Sequence, residues 1–501
     1  MATQHRWLDM QRLSSGPPIA LGGALVAVAV AGALGAVTAQ QPLLGLGAGT
    51  AALLGLTIAA RPDVATLVVI GVLYSNAAVI AVHFHGLPVF ASAAVPLLLV
   101  VPLAYYVVAR RQHVIATPGL RWMVGLLLVQ ILSSIFAADS ADASGALLTF
   151  VSEGFVLYLL ITNVVRTGAL LRHVVWVLLG VGALLGALST YQELTHTYAN
   201  DYFGFAQVSN AAFGTGERTL TGEILQPRLA GPIGEQNRYA QVMLMVVPLG
   251  LFRYWSERSP PLRLLALCMT AFTALGVAFT FSRGAAIGFV LMIAIMAFLR
   301  YIRPRQIAAI VLGLALVLVA VPEYGNRLVT LDALTSFVSD EGPQDAADGS
   351  LMSRATENLA AALVFADHPL LGVGPGQFPR YYRDYAELVG IRVLATDRQA
   401  HDLYLDIAAE TGILGLGAFL AVVLVTLRDL ARARRRWSRE RPELANLATG
   451  FMLAMVSYLT TGLFLHLAFE RYLWLMLGLA AAAGGIALRE AAAADAAPQR
   501  A

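Results

Sequence analysis

Apolar runs of eighteen or more residues recur along nearly the whole of this sequence. A run of that length crosses the hydrocarbon core of a bilayer as a helix, which satisfies its own backbone hydrogen bonds where no water can. Composition points the same way: 58% of residues are hydrophobic and 13% charged, where soluble domains carry about 25% charge. Strand-period alternation is absent, which excludes an outer-membrane barrel. The expected fold class is an all-α polytopic membrane protein of about 12–14 transmembrane helices. Candidate spans are 18–38, 43–60, 64–82, 87–109, 120–137, 145–165, 169–189, 237–255, 262–281, 284–300, 305–322, 403–427, 444–466 and 470–488.

Arg placement sets the orientation, because short cytoplasmic loops retain basic residues. With the N-terminus inside, the inner loops hold Arg61, Arg110, Arg111, Arg166, Arg253, Arg258 and Arg303, and the run Arg428 to Arg441 follows the span 403–427. Short outer loops are nearly free of Arg, and one carries Asp139 and Asp142. Both termini are therefore expected inside, and two long polar segments, 190–236 and 323–402, outside. The chain divides into residues 1–322 with the first eleven spans, a lid loop at 323–402, C-terminal spans at 403–488 and a tail at 489–501. The Arg428–Arg441 cluster reads as a topology determinant, and no nucleic-acid partner is expected. The run from Pro18 to Thr38 exceeds a signal-peptide core and reads as the first span. The single cysteine, Cys268, excludes an internal disulfide and a cysteine metal site.

The segment 190–236 is rich in aromatic residues and Gly, and reads as interface anchors followed by an irregular re-entry at Leu225–Arg238. The lid loop opens on the acidic stretch Asp340–Asp348, whose spacing fits no regular metal loop. Ser350 is expected to cap a helix from Leu351 to Ala366 that places Met352, Leu359, Leu363 and Val364 near one face, with Arg354 and Glu357 elsewhere. His368-Pro-Leu-Leu-Gly-Val-Gly-Pro-Gly376 reads as a tight turn; no strand precedes it and no Lys follows it, so it is not a nucleotide loop.

Three outer elements are expected to converge: Arg228 before one span, Arg283 between two spans, and His401 at the head of span 403–427. Asn237, Arg380, Asp402, Tyr404 and Glu410 are supporting candidates. Guanidinium groups suit a diphosphate because they donate bidentate hydrogen bonds and stay charged. They can also offset charge growing on a leaving group, as a metal does elsewhere. His401 is the natural proton acceptor near neutral pH. Glu410, some two and a half turns into its helix, reads first as a buried partner that fixes packing.

His401-Asp-Leu-Tyr-Leu-Asp-Ile-Ala-Ala-Glu410-Thr-Gly412-Ile-Leu-Gly415 resembles the His-x-x-Tyr/Phe-Leu…Glu-x-Gly…Gly signature of the O-antigen ligase and polymerase superfamily of inner-membrane, GT-C-like glycosyltransferases. The turn His368–Gly376, the set Arg228, Gly231 and Asn237, and Ser282-Arg283-Gly284 are similar to the family's other landmarks. Asp402 departs from the Asn or Ser often found there. The resemblance covers about residues 220–420 and is most like O-antigen ligase. It implies a periplasmic active site and an undecaprenyl-diphosphate-linked glycan as donor. The acceptor would be a sugar hydroxyl of lipid A–core and the product lipopolysaccharide. It further implies a metal-independent inverting displacement with no cofactor, His401 as base, and Arg228 and Arg283 on the diphosphate. Polymerisation of O-antigen or exopolysaccharide, or glycan transfer to protein, shares donor and chemistry. A lipid or glycan transporter is the reading from another class, but no internal repeat is visible and the charges gather at one face.

Overall fold

A computed structural model describes residues 61–218, 224–303, 346–391, 393–394, 396–467 and 470–496, with four isolated residues between 305 and 312. The chain divides into two compact units, residues 1–65 and 66–501. Of the first only 61–65 are described, and everything below concerns the second. The expected spans 18–38, 43–60 and 305–322 and the acids Asp340–Asp345 fall outside these residues or nearly so.

The helices in order are α1 (Pro62–Tyr74), α2 (Ala77–His85), α3 (Ser92–Ala109), α4 (Leu120–Ile135), α5 (Ser140–Val164), α6 (Gly168–Thr195), α7 (Gln236–Ser256), α8 (Pro260–Ala278), α9 (Arg283–Phe298), α10 (Ala346–Asp367), α11 (Phe378–Val389), α12 (Leu403–Trp437), α13 (Pro442–Thr461) and α14 (Glu470–Ala496). Among the described residues seven helices are long and apolar enough to cross a membrane, or eight when α1 and α2, bent by 55°, are one span. The architecture is thus a polytopic helical membrane protein, as its hydropathy requires.

Burial orders the bundle. In α14, 83% of the apolar window is enclosed, against 17% in α3, so α14 is central and α3 peripheral. Tyr472, Trp474 and Leu477 of α14 pack with Tyr158 and Phe419 in the main core. The outward faces of α8 and α9 leave Leu264, Phe272, Val290 and Phe298 exposed, as a lipid-facing surface demands. The helices α6 and α8 cross closely because Gly186 carries no side chain: a Cβ there would stand 2.0 Å from the Phe272 carbonyl oxygen.

Three departures from the sequence reading bear on function. The segment 190–236 is more regular than expected: β1 (Gln207–Arg218) and β2 (Ile224–Gly231) pair antiparallel, with Ser209 opposite Arg228. The helix α10 begins at Ala346, so Ser350 lies within it rather than capping it. The helix α12 runs to Trp437, ten residues past the expected end, and so carries much of the Arg cluster as helix. That cluster is laced to acids: Arg436 to Asp495 at 2.8 Å, and Arg441 to Glu490. The Trp437 indole donates to the Ala487 carbonyl at 2.8 Å, so the α12 and α14 ends are locked together.

The turn after α10 is built into α12. At Gly412 the helix breaks, with φ of 64°. The freed backbone groups are taken up by the turn: Val373 N–H donates to Ala409 O at 3.0 Å, Gly374 N–H to Glu410 O at 3.0 Å, and Ile413 N–H to Pro369 O at 2.8 Å. Only glycine fits. A Cβ on Gly412 would lie 2.2 Å from the Leu370 carbonyl, and one on Gly372 2.3 Å from the Glu410 carbonyl carbon.

Candidate active site

His401 stands immediately before the N-terminus of α12. The Asp402 side chain caps that helix, accepting from Tyr404 N–H at 2.8 Å and Leu405 N–H at 2.9 Å. Burial raises the Asp402 carboxyl above its ordinary value, and the two backbone hydrogen bonds oppose the rise. The cap fixes where the helix starts, and with it where His401 stands.

Glu357 meets His401 from α10. Its side chain has no exposed surface, and its Oε2 lies 2.5 Å from His401 Nδ1. The approach is a close ionic contact outside hydrogen-bond alignment. The other carboxylate oxygen accepts from Arg398 Nε at 2.9 Å. Arg354, one helical turn before Glu357, is buried beside them. That burial lowers its guanidinium from its usual value, nearby Glu235 and Glu357 oppose the shift, and Arg398 adds to it.

Arg228 and Arg283 meet at one turn. Arg228, on β2 and 3% exposed, donates from Nε to the Thr280 carbonyl at 2.9 Å and from Nη2 to Asn237 Oδ1 at 3.3 Å. Thr280 lies in the α8–α9 turn that carries Arg283 as the first residue of α9, capped by Ser282. Asn237 is held in turn by Glu235, which accepts from its side-chain amide at 3.0 Å and caps α7. Arg283 is near enough to Arg354 for the two charges to repel, and Arg354 is near Glu357. The arginines are thus linked to His401 through side chains on α10. On the far side, the His466 ring lies 5.9 Å from that of His401, and its carbonyl accepts from Arg238 Nη1 at 2.9 Å. Burial first, then the charges of Arg238 and His401, push the His466 imidazole down to about 2. It stays neutral and is a poor proton acceptor.

The remaining candidates fall elsewhere. Arg380 pairs with Asp139 at 3.0 Å, with more than half of its side chain exposed, and joins α11 to the turn before α5. Backbone donors Asp142 and Ala141, and then Arg380, hold the Asp139 carboxyl below its ordinary value. The Tyr404 hydroxyl donates to the Leu459 carbonyl at 2.9 Å, tying α12 to α13. Glu410 accepts weakly from Phe378 N–H at 3.4 Å and lines a cavity of about 60 Å³ with Asp406, Glu470 and Gln130. Its contacts brace the turn against α12, the packing role expected of it.

Sequence reasoning passed over Glu357, Arg354, Arg238 and His466. The first two carried a signal: Arg and Glu three residues apart share a face of an otherwise apolar helix. Among the described residues no group of three or more His, Cys, Asp or Glu is placed to hold a metal.

Residues 267–420 match the family model described as O-Antigen ligase. The match takes in Arg283, Arg354, Glu357, Arg398, His401 and Glu410, and leaves out Arg228 and Asn237. No curated protein matches the chain. Over residues 267–420 this chain is therefore similar to the O-antigen ligase family, and the match supports glycan transfer of that type at a membrane interface.

Proposed function

We propose that the protein transfers a glycan from undecaprenyl diphosphate to a sugar hydroxyl of lipid A–core on the periplasmic face of the inner membrane, making lipopolysaccharide. The observation that carries this reading is the His401–Glu357 contact beside Arg354 and Arg283, inside the segment that matches the ligase family. A base and several guanidinium groups at one end of a membrane bundle suit a lipid-borne diphosphate and a hydroxyl nucleophile.

In this reading the acceptor hydroxyl attacks the anomeric carbon of the donor from the face opposite the diphosphate. The bond from that carbon to the diphosphate oxygen breaks, and the configuration inverts. His401 takes the hydroxyl proton, and undecaprenyl diphosphate leaves carrying the bond's electron pair. Arg283 and Arg354 offset the charge that grows on the leaving oxygen. Arg228 acts through the Thr280 carbonyl, holding the turn that presents Arg283, and Asn237 holds Arg228. No metal and no nucleotide sugar enter this scheme. Arg-rich Arg428–Arg441, at the opposite end of α12 from His401, lies on the cytoplasmic side with both termini.

A chromosomal deletion tests the reading. Loss of all O-antigen from the lipid A–core is the expected result. A core bearing a single repeat unit would assign polymerisation instead. Intact lipopolysaccharide with loss of glycan from a protein or another polymer would assign a different acceptor. Unchanged glycans throughout, with altered lipid-carrier flux, would point to a transporter.

A further inference from the structure

We propose that Glu357 is the positioning residue for His401: its carboxylate orients the imidazole and keeps the nitrogen turned towards substrate free to accept a proton. The inference rests on His401 serving as the base.

The argument begins with burial. A carboxylate with no exposed surface is costly unless its oxygens find partners. Glu357 Oε1 is satisfied by Arg398 Nε at 2.9 Å, and the group facing Oε2 is His401 Nδ1 at 2.5 Å. An ionised carboxylate only accepts, so Nδ1 must carry the hydrogen that faces it. In a neutral ring the lone pair then sits on Nε2. Nε2 is thus left as the proton acceptor, and once it has taken a proton the imidazolium gains an adjacent negative charge. The approach is not aligned as a hydrogen bond in the unliganded site, and such contacts commonly tighten when substrate is bound.

Neighbouring groups do not supply the same function. His466 faces the other side of the ring at 5.9 Å and is held neutral. Arg238 binds the His466 carbonyl, and Asp402 is occupied with capping α12. Arg354 and Arg398 are cations and would oppose an imidazolium. Among the described residues Glu357 alone puts a carboxylate on His401. Because it arrives on α10, the base is complete only when that loop helix is docked on the head of α12.

The test compares purified full-length wild type, Glu357→Gln, Glu357→Asp and His401→Ala in proteoliposomes, with lipid-diphosphate-linked glycan as donor and lipid A–core as acceptor. Thermal melting in detergent reports folding. Gln matches Glu in size but carries no charge, and it is expected to lower kcat about 100-fold or more while donor KM stays within about threefold. Asp keeps the charge and is expected to hold kcat within about tenfold of wild type. A folded Gln variant with wild-type kcat, or one altered only in KM, overturns the proposal. An Asp variant as slow as His401→Ala also overturns it, and that comparison decides the matter should the Gln variant not fold. Wild-type turnover by His401→Ala would instead remove the base itself, an outcome distinct from the failure of Glu357 alone.

Discussion

Arg228 and Arg283 reach the same turn in different ways, and the difference separates their effects. Arg228 is buried and donates to Thr280 O and Asn237 Oδ1. Its removal leaves a buried carbonyl short of a donor, worth about 1.5–3 kcal/mol for a charged hydrogen bond. Arg228→Ala should therefore lower both the melting temperature and the transfer rate. Arg283 is half-buried, and no hydrogen bond or ion pair to it is found among the described residues. Arg283→Ala should leave melting nearly unchanged while cutting kcat/KM for donor about 100-fold, with Arg283→Lys recovering part of the loss because the bidentate fork is gone. Equal melting losses in the two Ala variants would contradict this division. His466 gives a prediction in pH. Its imidazole is pushed down to about 2 from an ordinary 6.5, so between those values the unfolded chain binds a proton that the folded one does not. Stability then falls as pH drops below about 6.5, and His466→Asn should flatten that dependence in a pH series of melting curves. His401 and the arginines were legible in the sequence because polar residues at span ends stand out against an apolar background. Glu357 was not, since nothing local told that its carboxylate folds back onto a histidine 44 residues later.

At the scale of elements the decisive feature is the turn His368–Gly376 inserted at the α12 break. Its backbone replaces the hydrogen bonds that Gly412 interrupts, so the loop helix, the turn and the head of α12 are one construction. Gly412→Ala would force a Cβ to 2.2 Å from Leu370 in a left-handed conformation. It should destabilise the protein by at least about 2 kcal/mol and reduce transfer together with it; a melting curve identical to wild type would contradict the arrangement. The sequence marked this stretch as a turn and the glycines as a signature. It could not say that two glycines distant in the chain serve a single backbone contact. The β1–β2 ribbon was illegible for another reason: Gln207-Val-Ser-Asn-Ala-Ala-Phe-Gly lacks a clean alternation of apolar and polar residues. The start of α10 was misplaced because Ser350 is a good cap by residue type, and Ala346 precedes it in the helix nonetheless.

Over the whole molecule the charges separate to the two ends of the bundle. One end gathers His401, Glu357 and the arginines of α9 and α10; the other gathers the Arg428–Arg441 run with Glu490 and Asp495. Hydropathy made the helical architecture readable from the sequence, since a bilayer leaves a chain few alternatives. Assembly of residues from β2, α9, α10 and α12 at one end was readable only as an expectation of sidedness, because no periodicity relates elements so far apart in the chain. The cationic character of that end predicts that a chelator leaves transfer unchanged; inhibition reversed by a divalent ion would contradict it. The central claim is that an imidazole at the head of α12 activates a hydroxyl against a lipid diphosphate. Its most direct test is label transfer in proteoliposomes holding donor and lipid A–core without nucleotide. Wild type should move the glycan label to the core and folded His401→Ala should move almost none, whereas equal transfer by both, or none by wild type until a nucleotide is added, would contradict the claim.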